Sequence, residues 1–455
     1  MLTVSKTSFY IFFGFPVVAI FARLNPITAE FSYLLIAVYA LLGERQLIQS
    51  LLLSFIFTMI NPTIAPSVEY QSLLRYLVIY FSFLSIFLRR SFFKLNGLLF
   101  FTIILGFLII IHSSFFSQFA DVSIFKVISW TVVMITLLKA WSNLNELDHK
   151  QMLNWIQMVL VFILVLSIPT IFIPEVGYAR NKGFFQGVLS HPQVFGIVVA
   201  ILSILIFAKI IEKRKPELNL IFVLFFSLIF LYLSGSRTAG LALILTISLN
   251  IIVYLIYGLF KNKNFLFAIK SKRAFFIYFL SIIILLLFYE NFSILVSSFL
   301  QKGTVNTKSI FTIYFESRGV LFEPMLNNID KNFFTGIGFG IGSDITEFYI
   351  QRDPFFNLPI SAPIEKGLLP LMIFEELGIF GFILFFVWFC ILISKAFKKS
   401  LQASFILIFI ILVNLGEAIL FSPGGLGLLM LILLTSIVTK PGTSSNSVVL
   451  TYSKK

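Results

Sequence analysis

The hydrophobic and polar positions of the chain are arranged in long blocks. Extended apolar runs alternate with short polar segments, and one mixed interval, 290–366, is much longer than the others. Because a helix needs roughly 20 apolar residues to cross a bilayer, the pattern predicts an all-α integral membrane protein, a polytopic bundle of about 12 to 14 transmembrane helices. The predicted spans are 8–22, 27–42, 47–61, 73–88, 97–112, 124–141, 151–173, 194–211, 219–234, 238–260, 274–289, 367–393, 401–421 and 425–439.

The second and third runs are short, and only the segment 43–46 separates them, so a count below fourteen stays open. Composition supports the membrane assignment: 59% of the residues are hydrophobic, 12% are charged, and the mean hydropathy is +1.01. A water-soluble domain of this composition would lack the polar groups to cover its surface. The sequence therefore favours lipid as the surrounding medium for most of the chain.

The net charge of +14 has a membrane explanation as well. If the N-terminus is cytoplasmic and the spans alternate, the cation clusters at 89–94, 209–215, 261–273 and 395–399 all fall on the cytoplasmic side. Cytoplasmic loops collect Lys and Arg. The charge thus predicts cytoplasmic termini and an external loop at 290–366, and it gives no reason to expect nucleic acid as a partner.

Several kinds of chemistry are not expected from this sequence. The single cysteine, Cys390, lies in an apolar run, so no intrachain disulfide is possible. No His/Cys cluster suggests a metal, and no nucleotide loop suggests a cofactor. In "GIGFGIGSD" a dinucleotide fingerprint would need glycine at 341 or 343, where Ile341 and Ser343 stand. We expect neither metal nor cofactor.

The stretch "ARNKGFFQGVLSHP" places Arg180, Lys182 and His191 on the outer side, directly before a span. The positive-inside tendency opposes cations there, so the segment is a candidate anion site in which arginine contacts phosphate. Lipid-headgroup contact or an ion pair with Glu175 is the structural alternative. His191 is either a proton carrier or a cap of the following helix.

A second polar segment, "SGSRTAG", forms a tight outer turn between two spans. Ser236 and Arg237 are placed at membrane depth, where a charge is costly and usually functional. Thr238 is a candidate cap for the next helix. A snorkelling arginine at the interface is the structural alternative.

The long loop contains a predicted helix over 316–329, with Arg318 near its start and Val320, Leu321, Met325, Leu326 and Ile329 on one side. The alternating glycines 336, 338, 340 and 342 follow. Glycine at these positions would let the backbone approach a helix or a glycan closely.

Carboxylates mark the return of this loop to the membrane. Glu365 and Lys366 precede the apolar run, and Glu375 and Glu376 lie inside it. Such intramembrane carboxylates suggest either a site or buried partners for an arginine. Glu417, in "NLGEAILFSPGG", is a similar case near an outer end.

In this order, "ARNKGFFQGVLSHPQVFG", "LSGSRTAGLALIL", "SRGVLFEPMLNNIDKNFFTGIGFG" and "EELGIFGFILF" resemble the bacterial O-antigen ligase and polymerase superfamily. The resemblance covers roughly residues 170–395. It implies a metal-independent glycosyltransferase of the inner membrane with a periplasmic active site. Its donor would be a glycan on a polyprenyl diphosphate, and its acceptor a sugar hydroxyl of another glycan or glycolipid.

The resemblance also implies roles for residues. Arg180, Lys182, Arg237 and Arg318 would hold the diphosphate, with Ser236, Lys366, Glu375 and Glu376 in support. The ligases carry a histidine where this chain has "PIEKG", and Gln193 stands in place of a common asparagine. Glu365 is therefore the preferred base and His191 the second candidate.

The missing histidine favours a polymerase of surface polysaccharide over a ligase that transfers to the lipid A core. The resemblance also allows a chain-length regulator protein as a partner. A lipid-linked glycan flippase is the rival from another class, and it would predict an internal repeat. We divide the chain into N-terminal spans (1–169), a catalytic region (170–395), C-terminal spans (396–439) and a cytoplasmic tail (440–455).

Overall fold

The computed structural model describes residues 6–89, 97–180, 183–212, 217–260, 310–344, 346, 348–362, 364 and 366–441, and their side chains except at 6–11, 253–260, 310–318 and 320. The helices are α1 Lys6–Leu24, α2 Phe31–Ala40, α3 Glu44–Met59, α4 Gln71–Phe87, α5 Gly97–Phe116, α6 Ala120–Asn143, α7 Glu146–Ser167, α8 Pro174–Gly177, α9 Pro192–Glu212, α10 Leu218–Leu233, α11 Arg237–Phe260, α12 Ile310–Lys331, α13 Leu369–Lys399, α14 Leu401–Val413 and α15 Gly425–Val438. A 3-10 helix, Pro169–Phe172, follows α7, and a hairpin of β1 Gln351–Arg352 and β2 Pro359–Ser361 follows α12.

Each apolar run predicted within the described residues coincides with a helix, which confirms a mostly helical, multi-pass type of membrane protein. Within the described residues, five helical stretches are long and apolar enough to cross a bilayer: α5, α6, α7 with its 3-10 extension, α9 and α13. Shorter apolar helices account for the other described runs. The predicted run 274–289 and most of the tail 440–455 lie outside the described residues.

Helix α2 is the shortest of these apolar helices, and its 10 residues cover about 15 Å, half of a hydrocarbon core. The chain nevertheless passes from one end of the bundle to the other here. Arg23 Nη1 donates to Pro66 O, which precedes α4, whereas Glu44 pairs with Arg89, which follows α4. The turns on either side of α2 therefore complete the passage that the sequence predicts as its second span.

Charge divides the two ends of the bundle. Arg45 pairs with Asp148, Arg89 with Glu44, and Lys399 Nζ lies 3.2 Å from His149 Nε2, all at the end we call the basic end. The opposite end carries the loops 60–70, 183–191 and 414–424, and we call it the site end. Of the cations predicted to share one side of the membrane, Arg45, Arg89 and Lys399 thus lie at one end of the protein, whereas the cations at 90–94, 213–215 and 261–273 lie outside the described residues.

Two helices form the centre of the bundle. Every residue of α15 is buried, and so is every residue of α3 from Leu47 to Phe57. These two helices pack against each other, and α6 packs against both. A helix that is apolar around its whole circumference belongs in such an interior position. Consequently α3 and α15 are surrounded by protein, and the lipid-facing surface comes from other helices, such as α10.

The described part of the long loop contains the helix predicted over 316–329. The helix is longer than predicted, since the 22-residue α12 runs from Ile310 to Lys331, and the β1–β2 hairpin follows it. The buried face of α12 is also different from the prediction: Met325 and Ile329 are buried as expected, but Leu326 is 51% exposed and Phe322 is buried in its place. Burial against α13 selects this face.

Candidate functional site

The first two sequence segments pack directly against each other at the site end. Phe185 N donates to Leu233 O at 3.1 Å. A Cβ on Gly196 would lie 2.3 Å from Ser236 Cβ, and one on Gly235, whose φ is +57°, would lie 2.3 Å from the Phe184 ring. Only glycine permits these approaches. The segment 183–196 and the turn 234–238 therefore form one surface.

His191 caps helix α9. Its Nδ1 accepts a hydrogen bond from Gln193 N at 3.2 Å, and its carbonyl accepts the Phe195 N–H. Of the two sequence interpretations, the cap is thus observed. The imidazole is only half-buried.

The turn before α11 differs from expectation in its cap. Ser236, not Thr238, immediately precedes the helix, and Ser236 O accepts the Gly240 N–H. Thr238 lies inside α11, where a Cβ on Gly416 would come within 2.6 Å of its methyl group. Ser236 is buried, and its Oγ has no hydrogen-bond partner among the described residues. The turn therefore joins the loop 414–424 to the same surface.

Arg237 occupies the first position of α11 and is half-buried. A cation at a helix N-terminus faces the positive end of the helix dipole, which costs about 0.3–1 kcal/mol.

The other predicted diphosphate ligands are only partly located. Arg180 is exposed in the loop after α8. Arg318 lies on α12, but its side chain is outside the described set, and Lys182 and Glu365 lie outside the described residues altogether.

A cavity of about 290 Å³ opens at the site end beside this surface. Its polar wall carries the Arg75 guanidinium, the Gln193 amide and the Glu417 carboxylate. The remaining lining residues are Met59, Val194, Ile197, Ile419, Ser422, Gly424, Gly425, Leu426 and Gly427. The cavity thus combines an apolar wall with one cation and one carboxylate.

Arg75 is held in this wall by contacts that leave part of its guanidinium unsatisfied. The guanidinium lies 5.0 Å from the Tyr76 ring centroid, and a Cβ on Gly424 would lie 2.5 Å from Arg75 Nη1. The buried Nε has no hydrogen-bond partner among the described residues. Gln193 Nε2 donates to Glu417 Oε1 at 3.4 Å. The sequence pattern did not single out Arg75.

A second polar cluster lies in the protein interior beneath the long loop. Lys366 Nζ is 2.7 Å from Glu375 Oε2 and 3.0 Å from Glu376 Oε1, and all three side chains are at most 1% exposed. The sequence suggested an arginine as the partner for these carboxylates, and the structure corrects this to lysine.

Further groups satisfy the remaining oxygens of this cluster. Asn328 Nδ2 and Ser343 Oγ donate to Glu375, and Gly340 N donates to Glu376 Oε2 at 2.7 Å. Lys126 Nζ donates to the carbonyls of Gly340 and Ala362. Two carboxylates and two ammonium groups balance in charge, so the cluster ties the loop to α6, α12 and α13.

The alternating glycines lie against a break in α13, as expected for close approach to a helix. Gly378 has φ 62° and ψ −172°, which interrupts the helix. The freed carbonyls of Glu375 and Glu376 accept the N–H groups of Ile337 and Gly338 at 3.0 and 2.9 Å. A Cβ on Gly336 would come within 2.5 Å of Glu376 C.

The two regions are continuous. Leu369 N donates to Asn414 O at 2.9 Å, and the rings of Phe339 and Phe421 meet edge to face with centroids 5.2 Å apart. The described parts of the four resembling segments therefore share one end of the bundle. Among the described residues, no group of three or more His, Cys, Asp or Glu side chains could hold a metal.

Comparison with known proteins adds no family assignment. No protein-family model matches the chain, and no curated protein matches it.

Proposed function

We propose that this protein is a surface-polysaccharide polymerase. It transfers a glycan from a polyprenyl diphosphate carrier to a sugar hydroxyl of another carrier-linked repeat unit. The proposal places the protein in a bacterial inner membrane, with the basic end in the cytoplasm and the site end in the periplasm. The positive-inside rule supports this orientation, because cations gather at the basic end.

The observation that carries the proposal is the cavity in which Arg75 and Glu417 line one space. Glycan transfer from a diphosphate needs a cation for the leaving oxygen and a base for the acceptor hydroxyl. A cavity of about 290 Å³ is near the lower limit of ligand pockets. It suits the reacting groups, while the long glycan and the lipid extend beyond it.

In the proposed reaction, the acceptor oxygen attacks the anomeric carbon of the donor sugar. The bond from that carbon to the diphosphate oxygen breaks, and the electron pair leaves with the diphosphate. Arg75, together with Arg180, Lys182, Arg237 and Arg318, neutralises the departing charge. Removal of one such donor typically costs about 3–4 kcal/mol of transition-state stabilisation.

The acceptor proton passes to a carboxylate. Glu417 is our first choice because it lines the cavity. Glu365, favoured by the sequence, remains the alternative base. His191 is less suitable because its Nδ1 already accepts the Gln193 N–H. Ser236, Lys366, Glu375 and Glu376 act in support by holding the loops that surround the cavity.

The test uses the full-length protein in nanodiscs with lipid-linked repeat units extracted from the cells that carry it. We expect a ladder of glycans on the carrier. Arg75→Gln and Glu417→Gln should each reduce its formation by about 100-fold. Lys331→Gln, at the exposed end of α12, is the matched control and should leave the ladder intact.

Other outcomes would replace the proposal. Glycan moved to lipid A core, with no ladder, indicates a ligase. Translocation of lipid-linked units without a new glycosidic bond indicates a flippase. If Glu417→Gln retains full turnover while Glu365→Gln loses it, the base is Glu365.

A further inference from the structure

The tip of the β1–β2 hairpin is built around one buried carboxylate. Asp353 is 2% exposed, and its Oδ1 accepts the N–H groups of Phe355 and Phe356 at 2.9 and 2.8 Å. Its Oδ2 accepts the Leu358 N–H at 2.7 Å. Asn357 completes the turn, and among the described non-glycine residues it is the one with a positive φ.

Backbone hydrogen bonds satisfy the other donors of the tip. Asp353 N donates to Leu358 O, and Asn357 N donates to Asp353 O. Pro354 has no N–H group. Every backbone N–H from 353 to 358 is therefore paired within the hairpin, which meets the donor half of the requirement for a segment that enters a medium of low polarity.

Three neighbouring side chains of the same tip, those of Pro354, Phe355 and Phe356, are apolar and exposed. Phe355 is 66% exposed and Phe356 is 74% exposed. Pro354, which precedes them in the chain, is exposed as well. Adjacent exposed aromatic side chains usually mark an interaction surface. The Phe355 ring also lies 5.7 Å from the Tyr70 ring, so the tip and the start of α4 form one aromatic surface.

The hairpin is fixed at the level where the helices end. β2 packs against α4 and α6. Arg352 Nη2 pairs with Asp121 Oδ2 at 2.5 Å, and Asp121 is the second residue of the membrane-length helix α6. The ends of transmembrane helices mark the membrane–water interface, where aromatic side chains concentrate.

The polar groups of the hairpin argue against a sugar as the occupant of this surface. A bound sugar would need hydrogen-bonding partners beside the aromatic rings. Asp353 is already engaged with three N–H groups, and Arg352 with Asp121 and Asn357 O. Asn357 is an exposed amide side chain of the tip, and the rest of this surface is mainly apolar.

We propose that this hairpin tip, with Phe355 and Phe356, inserts into the interfacial layer of the bilayer at the site end. The tip thereby anchors the long loop to the lipid surface independently of the buried Lys366 cluster. The proposal does not depend on the polymerase function.

The test places a fluorophore at the tip. The background variant is Cys390→Ser, which removes the single cysteine. In this background, Phe356→Cys is labelled with an environment-sensitive dye. The labelled protein is then reconstituted in nanodiscs that contain phosphatidylcholine brominated near the head of the acyl chain. Glu323→Cys, exposed on α12, is the matched control.

We expect brominated lipid to quench the dye at 356 at least about twofold more than the dye at 323, and aqueous iodide to quench it less. Shallow bromines should quench more than deep ones. Equal quenching at the two positions by both agents would overturn the proposal. So would a response of the dye at 356 to soluble glycan without any response to brominated lipid, since it would identify a glycan surface.

Discussion

Lys366 Nζ lies 2.7 Å from Glu375 Oε2, and both side chains are almost fully removed from solvent. The two residues occupy opposite sides of the point where the long loop becomes α13. Their pairing, together with the contact from Lys366 to Glu376, fixes how that loop meets the bundle. A buried pair of this kind is costly to break, because the remaining charge has no water to compensate it.

Lys366→Met should accordingly destabilise the protein by about 3–5 kcal/mol, since it leaves two buried carboxylates without their common cation. Thermal unfolding in detergent measures the loss. Lys331→Met, at an exposed position, should unfold like the wild type. A double variant, Lys366→Met with Glu375→Gln, should recover part of the stability. A wild-type melting temperature for the single variant would contradict the assigned ion pairs.

Gly378→Ala tests the break in α13. A Cβ there would lie 2.2 Å from Phe334 O, and the positive φ of Gly378 adds strain. We expect a destabilised protein and reduced transfer, because the loop carrying the alternating glycines would be displaced. Gly319→Ala is a matched control: it lies in α12 with open space around it and should stabilise the helix by about 0.5–1 kcal/mol. Equal melting temperatures for the two variants would argue against a required close approach at Gly378.

The helices could be predicted from the sequence because each depends on a local property, the length of an apolar run. The positions of Arg45, Arg89 and Lys399 at one end agree with the predicted alternation of charge with each crossing. Which helices are central was not predictable. α15 and α10 are both almost wholly apolar, but α15 is buried throughout and α10 exposes most of its surface.

The candidate site was likewise predictable from the sequence only in part. The segments containing His191 and Ser236 were found because polar groups interrupt apolar runs. Arg75 and Glu417 were not joined, because one lies in the first turns of α4 and the other in the loop 414–424, far apart in the chain, and only the tertiary fold brings them to one cavity. The face of α12 was predicted only in part, because the periodic pattern includes Leu326, whereas the structure exposes Leu326 and buries Phe322.

The cap at α9 allows the two roles of His191 to be separated. His191→Ala removes the acceptor for the Gln193 N–H and should cost about 1 kcal/mol. His191→Asn keeps an acceptor at the same position, so it should restore stability. If His191 acts only as a cap, His191→Asn also restores transfer. Transfer lost in both variants, with stability restored in the asparagine one, would instead assign the histidine a role in proton movement.

The hairpin tip should respond to acid through Asp353. Burial raises the pKa of this carboxyl, but hydrogen bonds from Phe356, Leu358 and Phe355 outweigh it and hold the pKa below its ordinary value of 3.8. A lowered folded-state pKa means that the ionised form stabilises the tip above the unfolded pKa, and that this contribution is lost as the pH falls through the folded-state pKa. Hydrogen exchange of the Phe355, Phe356 and Leu358 amides measures it. We expect protection near neutral pH and its loss in strong acid, while Asp353→Asn should show weak protection with little dependence on pH. Wild-type protection that persists below the lowered pKa would show that the carboxylate charge does not hold the turn.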